Sequence, residues 1–156
     1  MPDHYKIVIL GAGPGGLSAA ANAAHHKVSH ILMEKGEIGN TIFDYQLHKH
    51  VMDEPGKLPL RSKVQFKAGT REAVLESWNQ SVRDEEINVI QKANVSRIEQ
   101  LEPGFKLHYG SQSLTCDSLV MAIGSMGSPR TLGVPGSDLP HINYRLGDRF
   151  ALCHGD

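Results

Sequence analysis

The chain has little cysteine. Cys116 and Cys153 are the two in 156 residues, with 36 positions between them, which excludes a disulfide scaffold and a CxxC dithiol. Neither sign of charge is in excess: 16 Lys and Arg against 17 Asp and Glu leave a net charge of -1. That balance argues against a surface built to grip phosphate backbones or anionic lipid, so neither nucleic acid nor a membrane is an expected partner. No apolar run approaches the ~20 residues of a membrane span. The start, Met1-Pro-Asp-His-Tyr-Lys, lacks the basic and apolar regions of an export signal, so cytoplasm is the expected location. Internal repeats and low-complexity tracts are absent too. What is there, 40% apolar and 21% charged residues, suits one folded, water-soluble domain with a real core.

Ile7-Val-Ile-Leu10 is a short β-branched run stopped by Gly11, the pattern of a parallel strand covered on both faces. Gly11-Ala-Gly-Pro-Gly-Gly16 follows, then Leu17 to Ala24, small residues that favour a helix lying close to a sheet. His30-Ile-Leu-Met-Glu34 reads as a second strand, so residues 5–34 form one βαβ unit. Residues 36–69 are broken by glycine and proline and read as mostly loop. Thr70 is placed to cap a helix to about Glu86, with Val74, Leu75, Trp78 and Val82 on its apolar face, Trp78 as core. Ile87 to Ile90 is a further strand. Val95–Leu101, Phe105–Tyr109 and Ser113–Cys116 suggest a small antiparallel meander, and Leu119–Ile123 a separate, buried parallel strand. The expected fold class is α/β: a Rossmann-type doubly wound parallel sheet with a small antiparallel β-meander.

Gly11-x-Gly13-x-x-Gly16 thus sits between a strand and a helix, the context that gives this spacing meaning. The first glycine permits a sharp turn, the second lets backbone approach a pyrophosphate, and the third lets helix and strand pack closely. Pro14 and Gly15 complete the turn, and the helix start attracts a diphosphate without any Lys or Arg. Glu34, 18 residues past Gly16, is placed to accept hydrogen bonds from both hydroxyls of an adenosine ribose and to repel a 2′-phosphate. NAD and FAD share that half, so the fingerprint leaves the choice open.

Two stretches bear on the choice. One is Val28–Lys35 ending in Glu34, with Asn94-Val-Ser-Arg-Ile-Glu-Gln-Leu-Glu-Pro-Gly-Phe-Lys-Leu107 in place of a plain αβ connection; the other is Cys116-Asp-Ser-Leu-Val-Met-Ala-Ile-Gly124 followed by Leu132-Gly-Val-Pro-Gly136. In these the sequence resembles the thioredoxin-reductase-like, FAD-dependent pyridine-nucleotide oxidoreductases, over residues 5 to about 136. The resemblance implies the amino-terminal FAD-binding portion of such an enzyme, residues 1–136, with 137–156 a linker or tail truncated before an NAD(P)H domain. It implies FAD as cofactor and NAD(P)H as co-substrate, with electrons passing to an acceptor, small molecule or protein, that it does not specify; a homodimer is compatible with it. Lys35 would lie beside the ribose, Asn94 and Val95 beside the adenine, Ala122 and Gly124 against the cofactor, and Gln46-Leu47 near the flavin. Ile123 departs from the family's usual threonine, which leaves no side-chain hydroxyl there. No catalytic acid, base or nucleophile is assignable. The alternative is an isolated dinucleotide-binding module without complete catalytic machinery; an NAD-dependent dehydrogenase would need a substrate domain.

Other residues read more simply. His25-His26 and His48-Lys-His50 lack the further ligands of a metal site and read as exposed histidines. Asp53-Glu54 fits paired carboxylates and a solvated turn before Pro55 equally well. Cys153-His154 lies in an irregular tail, where an adjacent pair rarely makes a nucleophile and its base, and Gly147-Asp148 is similar to the Gly-Asp pair on which the flavin end rests in the family, a dipeptide match that recurs by chance.

Overall fold

The computed structural model describes residues 3–53, 62–125, 127, 130–142 and 144. Strand β1, His4–Leu10, alternates its side chains between two apolar layers. Helix α1, Pro14–His25, follows it, and then β2, His30–Met33, whose four residues are all buried, as a strand covered on both faces must be. The single-turn helix α2, Asn40–Phe43, and the two-residue strands β3, His50–Val51, and β4, Gly69–Thr70, occupy the region read as mostly loop. Helix α3, Arg71–Asp84, leads to β5, Val89–Ile90; then come β6, Val95–Gln100, β7, Phe105–Tyr109, and β8, Gln112–Met121.

Six strands form one sheet in the order β5-β2-β1-β8-β7-β6, and β3 pairs with β4 separately. β5, β2, β1 and β8 run parallel; β8, β7 and β6 form the antiparallel meander. The two segments read as separate, Ser113–Cys116 and Leu119–Ile123, are one ten-residue strand. Its first half pairs with β7 and its second with β1, so a single strand joins the parallel sheet to the meander. Burial corrects the sequence reading as well: Val120, Met121 and Ile123 are 36%, 54% and 63% exposed. An apolar run signals strand, but only neighbours decide burial, and none of the described residues covers this end of β8.

The layers follow from the alternation. Ile9 and Leu32 join Leu17, Ala20 and Ala21 of α1 and Val74, Trp78 and Val82 of α3 in one cluster. Val8, Leu10, Ile31 and Met33 join Leu107, Leu114 and Cys116 in the other. Both long helices therefore cover one face and the meander the other. Alanines on α1 allow its close approach, and Thr70 caps α3 by accepting the Ala73 N–H at 3.3 Å. Each valine buried by α3 contributes about 1.5–3 kcal/mol. At the start of β2 the buried His30 is fixed through both ring nitrogens, Nδ1 to the Val28 carbonyl at 2.8 Å and Nε2 to the Asn88 N–H at 3.3 Å, which ties β2 to β5.

Candidate dinucleotide site

Parallel pairing brings strand ends together. Leu10 lies beside Met33 on one side and Met121 on the other, and Met33 lies beside Ile90, so the chain leaves the sheet at Gly11, Glu34, Gln91 and Ala122 along one edge. Gly11 turns with φ +99° and donates its N–H to the Met33 carbonyl at 2.8 Å. A Cβ there would stand 2.5 Å from the Ala122 carbonyl oxygen, so the turn tolerates no side chain. A Cβ on the buried Gly16 would overlap the Gly11 carbonyl oxygen; this glycine lets α1 begin directly on the turn. Gly13 differs from both: nothing lies within 4 Å of its missing Cβ. Its bareness serves no packing need inside the protein and leaves open space over the start of α1.

That start carries the features that favour an anion. Gly13 is the N-cap and makes no side-chain cap, and Pro14 holds the first helical position. The N–H groups of Gly15 and Gly16 therefore have no partner within the helix, and the helix dipole adds partial positive charge. Pro14 and Gly15 are exposed and Gly13 half-buried. A diphosphate fits here on the grounds of an open cradle and donors without a partner in the helix.

Glu34 is 6% exposed. Oε2 accepts the Ala12 N–H at 2.7 Å and Oε1 the Gly36 N–H at 2.9 Å, so this carboxylate is not a solvated strand end but a brace across the turn. Each oxygen has a second lone pair, so ribose hydroxyls can still be accepted. The Glu34 carbonyl takes the Ala93 N–H at 2.8 Å, which sets the exposed Asn94 and half-buried Val95 next to the same corner. Lys35 is exposed, with Nζ 3.5 Å from the place of a Gly127 Cβ. Half-buried Ala122 donates its N–H to the Leu10 carbonyl at 2.8 Å and stands against Gly11; Gly124, exposed at φ +66°, lies two residues further, with nothing within 4 Å of its missing Cβ. Gln46 and Leu47 are exposed on the turn between α2 and β3.

Two contributors were not signalled by sequence. Gly39, at φ +69°, donates its N–H to the Ala12 carbonyl at 2.9 Å, and Gln91 accepts the Ile38 N–H on its Oε1 at 3.0 Å. Glycine in a glycine-broken stretch and glutamine after a strand carry no distinguishing pattern.

Elsewhere, the His25 and His26 rings meet edge to face with centroids 5.0 Å apart, and His48 Nδ1 is 3.8 Å from Glu72 Oε2. Cys116 is buried, and burial pushes its thiol pKa up. Cys153, His154, Gly147, Asp148 and Glu54 lie outside the described residues. Among the described residues no helix is long and apolar enough to cross a membrane.

The sequence profile of the pyridine nucleotide-disulphide oxidoreductases matches residues 8–152. The chain is 28% identical over 149 residues to a ferredoxin–NADP reductase of Ignicoccus hospitalis, covering 94% of this chain and 45% of that protein. It is 28% identical over 142 residues to the bacilliredoxin reductase Bdr of Bacillus subtilis, covering 88% of this chain and 44% of that protein. In fold it matches the bacillithiol disulfide reductase Bdr of Staphylococcus aureus with a TM-score of 0.76 at 24% identity, over 89% of this chain and 44% of that one. The chain thus spans less than half the length of these relatives.

Proposed function

The chain belongs to the pyridine nucleotide-disulphide oxidoreductase family, and from that membership we propose that it is the FAD-binding part of an NAD(P)H-dependent flavin oxidoreductase. The observation that carries the reading is the cradle at Gly13, where an unfilled Cβ position lies over the bare start of α1. Gly15 and Gly16 donate backbone hydrogen bonds to the diphosphate, with helix polarity in place of a cation. Glu34 accepts the ribose hydroxyls on its remaining lone pairs, and its negative charge disfavours a 2′-phosphate at that position. Lys35 flanks the ribose, Asn94 and Val95 the adenine, and Ala122 and Gly124 the cofactor's path beyond the turn. FAD, when bound, supplies the redox chemistry, taking hydride from NAD(P)H and passing electrons on; the residues here hold and orient it.

In this reading residues 1–136 are the FAD-binding domain and 137–156 a linker or tail. The relatives named above act on ferredoxin or on thiol redox partners by their names, and this chain's acceptor is a small molecule or protein reduced by the flavin. We assign it to the cytoplasm on its sparse cysteines.

The test is to purify the chain, add FAD and measure visible absorbance and flavin fluorescence after gel filtration. Co-elution of yellow protein is expected, and Gly13→Ala should lose it. Retention of NAD but not FAD would replace the cofactor assignment, and retention of neither would end the reading. Bleaching of the bound flavin by NADH separates an oxidoreductase from a binding module.

A further inference from the structure

Gln91 lies where β5 ends, in sequence far from the glycine turn and outside every fingerprint discussed above. Gln91 is exposed, yet its Oε1 reaches inward to accept the N–H of Ile38 at 3.0 Å, across 53 residues of chain. Ile38 itself is 4% exposed, so its amide has limited access to water. The next residue, Gly39, donates to the Ala12 carbonyl at 2.9 Å, and the Ala12 N–H goes to Glu34 at 2.7 Å. A covalently and hydrogen-bonded path thus runs from Gln91 through Ile38 and Gly39 to Ala12, the residue between the first two glycines of the turn. The Trp78 ring lies close to Gly39, so that a Cβ there would stand 2.9 Å from it.

We propose that Gln91 is a positioning residue for the dinucleotide site, setting the height of the Ala12 peptide, and with it the Gly13 cradle, by fixing the 36–39 segment on which that peptide rests. The inference deepens the FAD-site reading and rests on it. Ala12 is held on both sides, its N–H by Glu34 and its carbonyl by the Gly39 N–H, and Gln91 joins Asn40, whose Oδ1 accepts the Glu37 N–H at 3.2 Å, and the Lys92 N–H, which donates to the Gly36 carbonyl at 3.2 Å, in fixing the segment behind the second hold. Removing its acceptor leaves the Ile38 N–H to water or to nothing, and the segment gains freedom that a bound diphosphate must then remove.

The test compares Gln91→Met, which keeps length without an acceptor, with Gln91→Glu, which restores one. Binding of FAD and of ADP is measured by titration, and amide hydrogen exchange is followed in the cofactor-free chain. Gln91→Met should weaken FAD and ADP by about fivefold, with Gln91→Glu returning most of it. Exchange at Ile38, Gly39 and Ala12 should quicken in Gln91→Met while α1 and the β1–β8 ladder stay as in the parent. Unchanged affinity together with unchanged exchange at Gly39 and Ala12 overturns the proposal. So does exchange quickened uniformly over the chain, because Gln91 would then support stability alone. If the parent chain binds neither FAD nor ADP, the site reading fails, and the exchange at Gly39 and Ala12 still decides whether Gln91 holds the turn.

Discussion

The Glu34 carboxylate spans Ala12 and Gly36, accepting one backbone N–H on each oxygen at 2.7 and 2.9 Å. A group expected to serve the ligand is therefore also part of the apoprotein's own architecture. Glu34→Gln turns one oxygen into a donor that must face a backbone N–H. It should lower the stability of the cofactor-free chain by about 1–3 kcal/mol, read from urea unfolding. A purely ligand-directed Glu34 would leave that unfolding curve where it was.

The three fingerprint glycines should separate in behaviour. Gly13 has φ -81° and open space about its missing Cβ, so Gly13→Ala should fold normally, the gain from a less flexible unfolded state offsetting alanine's poorer fit at an N-cap. Its FAD affinity should still drop by at least about tenfold, a 1.4 kcal/mol effect. Gly16→Ala, driven against the Gly11 carbonyl, should yield little folded protein. Thermal melts and FAD titrations of the pair check this, and equal behaviour of the two variants would contradict it.

Cys116 is 2% exposed, and burial, the main cause, raises its thiol pKa, with the neighbouring Asp117 charge adding to the shift. The reactive thiolate is then scarce in the native state. Iodoacetamide at neutral pH should leave Cys116 unmodified until the chain is unfolded in guanidinium, as mapped by peptide mass spectrometry. Rapid native labelling there would mean that the layer between sheet and meander opens easily.

The start of α3 gives a stability and a pH prediction. Thr70→Ala removes the cap on the Ala73 N–H and should cost about 1 kcal/mol by thermal or urea unfolding. The Glu72 pKa is lowered, chiefly by its own backbone N–H, then by the His48 N–H. A carboxyl whose pKa falls on folding contributes stability above its unfolded pKa and loses it as pH drops through the folded one. Stability should therefore decline on acidification through the carboxylate range, and Glu72→Gln should flatten that decline. An unaltered pH profile in the variant would remove Glu72 from the account.

How much of this was legible beforehand depended on how local each signal was. The βαβ start, the Thr70 cap and the buried face of α3 each rest on contiguous patterns of one sequence stretch, which makes them readable. So was the meander, because Pro103-Gly104 and Gly110 punctuate it. Asp117-Ser118 interrupts the apolar pattern of β8 and makes it read as two segments, although the register of β8 on β1 is the same on both sides of the interruption. Its exposed end was unreadable because burial belongs to neighbours. The Glu34 brace and the Gln91 hold join residues 22 and 53 apart through single hydrogen bonds, which no periodicity records.

β1 has its two sheet partners at very different distances along the chain: Ile7 pairs with His30 and also with Ser118. During synthesis its β2 side can close early, whereas its β8 side must wait until residue 121 has left the ribosome. In the interval a nascent chain would carry a hydrophobic strand with one raw border, the kind of surface that chaperones engage and that stalled or slowed translation would leave uncovered longest.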